Sequence, residues 1–214
     1  MKERLKNFLA GGIYAILSEE HSLGRVNLAV ARELLQAGVR VIQYREKTKK
    51  AGAMLEECLA LREMTAQAGA TFLINDHVDI SLLCDADGVH LGQEDLPAAR
   101  VRELLGPDRI IGLSTHSPDQ AQAAKASGAV DYIGVGPIFA TATKKDVCEP
   151  VGLAYLDYVA GKIDLPFVAI GGIKEHNLAR VREHGARMVC MVTEIVGAGD
   201  IAEKTRALLR IMGE

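Results

Sequence analysis

The chain contains no tryptophan, and phenylalanine and tyrosine bring the aromatic share to only 4% of 214 residues. A core must therefore be assembled from Val, Ile, Leu, Ala and Met, the side chains that fill parallel strands buried on both faces. No run of about 18 apolar residues occurs, so no membrane-spanning helix is expected and no membrane partner. The N-terminal MKERLKNFLA carries charge with no apolar region behind it, which argues against a secretory signal. The four cysteines, Cys58, Cys84, Cys148 and Cys190, include no CxxC pair. That weakens zinc-site and redox-motif readings and favours free thiols in a reducing cytoplasm. The net charge is only −3, so no global basic field would attract nucleic acid. Also missing are the GxSxG elbow, the GxGxxG fingerprint and the Walker A pattern.

What is present points to alternation of strand and helix. Hydrophobic residues make up 49% and charged residues 25%, enough to bury a core in a single domain spanning 1–214. Short β-branched runs occur at Ile13–Leu17, Val39–Tyr44, Thr71–Asn75, Gly88–Gly92, Arg109–Ser114, Asp131–Gly136, Pro166–Gly171 and Arg187–Thr193. Amphipathic runs fill the gaps. Asn27–Gln36 opens on Asn27 as an expected cap and stops at Ala37-Gly38, Ala51–Gln67 ends the same way, and Ser117-Pro118 reads as a cap with a first-turn proline. Eight such units in this length predict an α/β fold closed as a single (β/α)8 TIM barrel. A doubly wound sheet is the competing arrangement.

In a barrel, chemistry sits where the strands end at their C-terminal tips. Those tips carry Gln43 to Lys47, Asn75-Asp76-His77, Gly92 to Asp95, Ser114-Thr115-His116, Gly136-Pro137, Gly171-Gly172 and Thr193-Glu194, whereas the opposite ends carry ordinary Ala-Gly turns. Asp76 and Asp95 follow adjacent strands, and hard oxygen ligands of this kind suit Mg²⁺ beside a phosphate; each alone could equally cap a helix. Arg45, Lys47 and Lys144 supply cations for phosphate oxygens, against the plainer reading of solvated surface charge. Gly172 and Thr193 suit a phosphate held by backbone amides, a common feature between the seventh and eighth loops of this fold. His77, His90 and His116 lie near consecutive tips, but with no HxH or HxxxH spacing they read as core or supporting residues rather than zinc ligands.

In this order and spacing, QYREK, IND, DGVHLGQEDLP, GLSTH, YIGVGPIFATATKKD, VAIGGI and VTEIVGA resemble the thiamine phosphate synthase family over nearly the whole chain. The resemblance implies a transferase that joins 4-amino-2-methyl-5-hydroxymethylpyrimidine diphosphate to a thiazole phosphate, whose bacterial form carries a carboxyl group lost as CO2. Thiamine phosphate and diphosphate are the products, and Mg²⁺ is the cofactor. It implies that Gln43, Tyr44, Arg45, Glu46, Lys47 and Asn75 bind the pyrimidine diphosphate and that Asp76 and Asp95 hold the metal. Ser114 and Lys144 would contact the diphosphate. Thr141, Ala142 and Thr143 would contact the thiazole phosphate, with Gly172, Val192 and Thr193 around it. Arg45, Lys47, Ser114 and Lys144 are the expected catalytic groups.

The expected reaction is dissociative. Diphosphate departs, and the thiazole nitrogen captures a cation stabilised by the aminopyrimidine, so the protein needs no nucleophile. The segment Phe139–Pro150 is expected to act as a lid. A thiazole tautomerase of the same superfamily, a non-catalytic binder and another phosphate-binding barrel enzyme are the rival readings. A homo-oligomer is compatible with the sequence.

Overall fold

In the computed structural model, residues 5–143 and 148–213 are described. Eight strands form a closed barrel in sequence order: β1 (Gly12–Leu17), β2 (Val41–Tyr44), β3 (Thr71–Asn75), β4 (Gly88–Leu91), β5 (Ile110–Thr115), β6 (Tyr132–Val135), β7 (Phe167–Ile170) and β8 (Met188–Met191). Every pairing is parallel, and β8 closes on β1 through Gly12↔Met188 to Ala15↔Met191. The (β/α)8 barrel expected from the alternation of runs is therefore the observed fold, and the doubly wound sheet is not.

Helices α2 (Asn27–Gln36), α3 (Ala51–Gln67), α4 (Val78–Leu83), α5 (Ala98–Leu105), α6 (Pro118–Ser127), α7 (Gly152–Lys162), α8 (Glu175–Glu183) and α10 (Ile201–Met212) ring the barrel. A short α9 (Thr193–Val196) starts at the tip of β8. Strands end one or two residues earlier than the apolar runs suggest at Gly92, Gly136, Gly171 and Thr193, because these positions already turn into the loops.

Strand periodicity divides the apolar residues between two cores. On β1, Tyr14 and Ile16 point into the barrel with Val41, Leu73, Ile110, Tyr132, Val168, Met188 and Cys190. Ile13, Ala15 and Leu17 alternate with them and pack under the helices. The barrel floor is shut by α1 (Lys6–Ala10), a five-residue helix too short to persist alone. It is held by Phe8, 3% exposed, whose ring lies 4.2 Å from that of Tyr132. Burying such a side chain contributes roughly 1.5–3 kcal/mol. Gly112 makes room for Tyr132, since a Cβ there would stand 2.1 Å from Tyr132 Cζ.

Two helix starts test the expected caps. Ser117 caps α6, accepting from the Gln120 amide at 3.3 Å with Pro118 at the first turn. Asn27 does not cap α2. Val26 occupies that position, and Asn27 is a buried first-turn residue whose amide donates to Glu46 at 2.8 Å. The Glu46 carboxylate holds the side chain through its Nδ2, and its Oδ1, the atom a cap would use, is buried without a partner among the described residues.

Candidate active site

The strand tips enclose a cavity of about 870 Å³. A smaller recess of about 370 Å³ lies at the other end of the barrel beside Arg182 and Arg187 and contains none of the strand-tip groups. Gln43, Arg45, Lys47, Asn75, Asp76, Asp95, Ser114, Thr141, Ala142, Thr143, Gly172, Val192 and Thr193 all line the larger cavity. Lys144 lies outside the described residues, as do residues 145–147 of the expected lid.

At one side of the cavity, two carboxylates converge. Asp76 sits just past β3 on a left-handed backbone, φ +61°, and its amide donates to the His90 carbonyl at 3.0 Å. That conformation is one Asp and Asn tolerate better than most residues. Its carboxylate takes an ion pair from Lys47 at 2.6 Å. Asp95 follows β4 and is steered by the Gly92 amide, which donates to its Oδ2 at 2.6 Å. Burial, and then the adjacent Asp76 carboxyl, push the Asp95 carboxyl above the usual aspartate range. An acid whose charge is disfavoured by burial and by a neighbouring acid makes a local demand for positive charge. Among the described residues no group of three or more His, Cys, Asp or Glu is placed to hold a metal. Any divalent ion here would rest on this pair and on ligand or water oxygens.

The opposite side is built from β6, β7 and β8. Gly172 has φ +62°, and a Cβ there would stand 2.5 Å from the Ala140 carbonyl oxygen and 2.8 Å from Phe139 Cβ. The loop after β6 thus packs directly on the Gly171-Gly172 turn, with the Phe139 amide donating to the Gly171 carbonyl at 3.0 Å. Thr141 Oγ1 accepts from the Thr143 amide at 3.3 Å, which curls that loop over the cavity, and His21 Nε2 meets the Thr143 carbonyl at 3.2 Å. Lys174 also lines this side. Its ammonium lies 3.2 Å from Thr193 Oγ1 and 3.3 Å from the Glu194 carboxylate. Burial raises the Glu194 carboxyl, but the Glu175 amide and Lys174 outweigh it and hold the group below the usual glutamate range.

Between the two sides, beneath the cavity, His90 joins Tyr132 and Ser114, at 2.8 Å from Nδ1 and 2.9 Å from Nε2. Burial pushes the His90 imidazole down to about 4, so it is neutral at physiological pH. His116 contacts the Gly136 carbonyl at 2.6 Å. His77 is half-exposed at the start of α4. The three histidines therefore do not share a centre.

The structure does not bring Tyr44 and Glu46 to the cavity. Alternation sends Gln43, Arg45 and Lys47 inward and Tyr44 and Glu46 outward, under the helices. The Tyr44 hydroxyl donates to Glu57 at 2.6 Å. Glu46, 7% exposed, accepts from the Glu19 amide and from Asn27, both at 2.8 Å. Lys49 bridges Glu19, at 2.9 Å, and Glu57. This cluster anchors the loop after β1, the loop that carries His21 to Thr143. Sequence reasoning set Gln93 and Glu194 at strand tips without giving them a role, and it missed Lys174 and His21 as cavity residues. Lys174 before a helical run looks like any solvated lysine, and only its three-dimensional proximity to Thr193 singles it out.

A family model described as thiamine monophosphate synthase matches residues 13–195. A thiamine-phosphate synthase of Pelotomaculum thermopropionicum is 63% identical over 208 residues, covering 97% of this chain and 95% of that protein. One of Lawsonia intracellularis is 54% identical over 200 residues, covering 94% and 92%. Among solved structures, thiamine phosphate pyrophosphorylase from Pyrococcus furiosus superposes with a TM-score of 0.87 at 33% identity, covering 94% of this chain and 95% of that one. With its barrel, its strand-tip cavity and these matches taken together, the chain belongs to the thiamine monophosphate synthase family.

Proposed function

We propose that this chain is a single-domain transferase of thiamine biosynthesis that condenses the aminopyrimidine diphosphate with the thiazole phosphate and releases diphosphate. One observation carries the reading: cationic side chains line the cavity at two separate sides. Lys47 stands with the two acids at one side, Lys174, Thr193 and the Gly172 turn stand at the other, and Arg45 lines the same cavity. A diphosphate and a phosphate monoester can then be held apart, with their reactive carbon and nitrogen between them.

The convergence of Asp76 and Asp95, with the Asp95 carboxyl pushed up partly by its neighbour, fits a divalent cation. Asp76 and Asp95 would hold Mg²⁺, which when bound supplies positive charge to the diphosphate oxygens. The protein's own groups do the rest. Arg45 offers a planar fork to phosphate oxygens, and Lys47 can turn its ammonium from Asp76 toward a leaving group. Ser114 donates a hydrogen bond from the cavity floor. Thr141, Thr143 and the Gly172 turn fix the thiazole phosphate, so that its nitrogen faces the pyrimidine methylene carbon as the carbon–oxygen bond breaks. Lys144 belongs to the same set through the resemblance.

The test is incubation of the protein with both substrates and Mg²⁺, followed by product mass and diphosphate release. Thiamine phosphate and diphosphate in equal amounts are expected. Isomerisation of the thiazole without diphosphate, or tight binding without turnover, would overturn the reading. We place the reaction in the cytoplasm, where Cys58, Cys84, Cys148 and Cys190 stay as the free thiols they are here. Among the described residues no helix is long and apolar enough to cross a membrane.

A further inference from the structure

Five polar side chains from five strands join in one unbroken line beneath the cavity. The Gln43 amide nitrogen on β2 lies 2.6 Å from the Tyr14 hydroxyl on β1. The Tyr14 hydroxyl lies 3.0 Å from that of Tyr132 on β6. Tyr132 meets His90 Nδ1 on β4 at 2.8 Å, and His90 Nε2 meets Ser114 Oγ on β5 at 2.9 Å. Gln43, Tyr14 and Tyr132 are 2%, 1% and 0% exposed, so bulk water cannot supply substitute partners.

The protons in such a line have one consistent order. The Gln43 nitrogen can only donate. Tyr14 therefore accepts from it. Tyr132 is its one other hydrogen-bond partner among the described residues and bulk water does not reach it, so its own proton is satisfied only by going to Tyr132. Tyr132, having accepted, gives its proton to His90 Nδ1. That nitrogen is then unprotonated, and the single proton of the ring sits on Nε2, aimed at Ser114. Ser114 accepts, and its own hydroxyl proton is left pointing out of the line, into the cavity. At the far end, the Gln43 carbonyl oxygen is buried without a partner, an arrangement that costs about 1–3 kcal/mol unless a ligand donor meets it.

We infer that Tyr14, Tyr132 and His90 are positioning residues which fix Ser114 as a hydrogen-bond donor to an oxyanion and leave the Gln43 carbonyl as an acceptor for a ligand N–H. Donors and acceptors aligned head to tail also polarise one another, so an N–H bound at Gln43 and an anion bound at Ser114 pull in the same sense. That the oxyanion is the departing diphosphate rests on the proposed function; the order of protons does not.

Two measurements test the line. Two-bond ¹H–¹⁵N correlation spectra of ¹⁵N-histidine-labelled protein report the His90 tautomer without any substrate. The Nε2-protonated neutral ring is expected, and an Nδ1-protonated ring or an imidazolium at neutral pH would overturn the inference. The second measurement is a double-mutant cycle on condensation, with Y132F, S114A and the pair. Y132F keeps the ring contact with Phe8 but has no proton to give His90. It is expected to lower kcat about tenfold, to leave KM nearly unchanged, and to cost nothing further in the S114A background. An equal loss in both backgrounds, or no loss with Ser114 present, sinks the role. Y14F, which removes the proton donated to Tyr132, carries the same cycle if Y132F does not fold. Absence of condensation with the expected His90 tautomer would refute the proposed function and leave the line standing.

Discussion

The Lys47 ammonium closes on the Asp76 carboxylate at 2.6 Å, and Asp76 holds that place on a backbone with φ +61°. The two facts separate chemistry from folding. Asn tolerates the left-handed region as well as Asp does. Asp76→Asn should therefore change unfolding free energy by no more than about 0.5 kcal/mol, while turnover falls by about a hundredfold or more. Urea unfolding alongside steady-state diphosphate release checks both. A variant with normal turnover would remove Asp76 from the proposed metal site.

Gly172 cannot accept a side chain without moving its neighbours, because the Ala140 carbonyl oxygen and Phe139 stand in the way. In Gly172→Ala the loop after β6 must shift and take Thr141 and Thr143 with it. The expected result is at least roughly a tenfold rise in KM for the thiazole phosphate, with a smaller change for the pyrimidine diphosphate; one tenfold step corresponds to about 1.4 kcal/mol of lost binding. Initial rates with each substrate varied in turn distinguish this from a uniform loss.

Lys174 sits beside Thr193 with Glu194 as its counterion. Lys174→Gln removes a positive charge from the phosphate side but keeps a hydrogen-bond donor. KM for the thiazole phosphate should rise roughly tenfold, the scale of one charge-assisted hydrogen bond, with kcat little changed. Lys174→Arg should recover most of it. Equal effects on both substrates would show that the lysine supports the fold instead.

Glu57 links the outward cluster to pH. Burial raises its carboxyl, but hydrogen bonds from Lys49 and Tyr44 prevail and hold it below its ordinary value of 4.5. As pH falls, the unfolded chain takes up this proton before the folded one, so the contribution is present above 4.5 and is lost as pH drops through the lower folded value. Glu57→Gln should be less stable than the parent near neutrality, and the two stability curves should converge in acid. Urea midpoints across that range are the check, and parallel curves would rule this contribution out.

The barrel was legible because eight β-branched runs separated by amphipathic ones leave few other ways to bury so much Val and Ile. Ser117-Pro118 announced α6 for a similar reason, since cap and proline act on their own helix. Asn27 misled because an Asn ahead of an apolar run looks like a cap until Glu46, distant in sequence but near in space, claims it. Gln43 to Lys47 read as one binding motif, although the strand pleat turns every second side chain away. Tyr14 and Tyr132 carry no local signal of a role, and His90 read as a core or supporting residue. Their link to Ser114 depends on barrel closure, which no local window contains.

That pleat has a consequence for how this protein tolerates mutation. Along positions 43 to 47, neighbouring codons answer to different demands. Changes at 43, 45 and 47 would be felt by the ligands, and changes at 44 and 46 by the scaffold under the loop after β1. Deep mutational data scored separately for abundance and for activity should split this pentapeptide like the teeth of a zip, each tooth facing its own side.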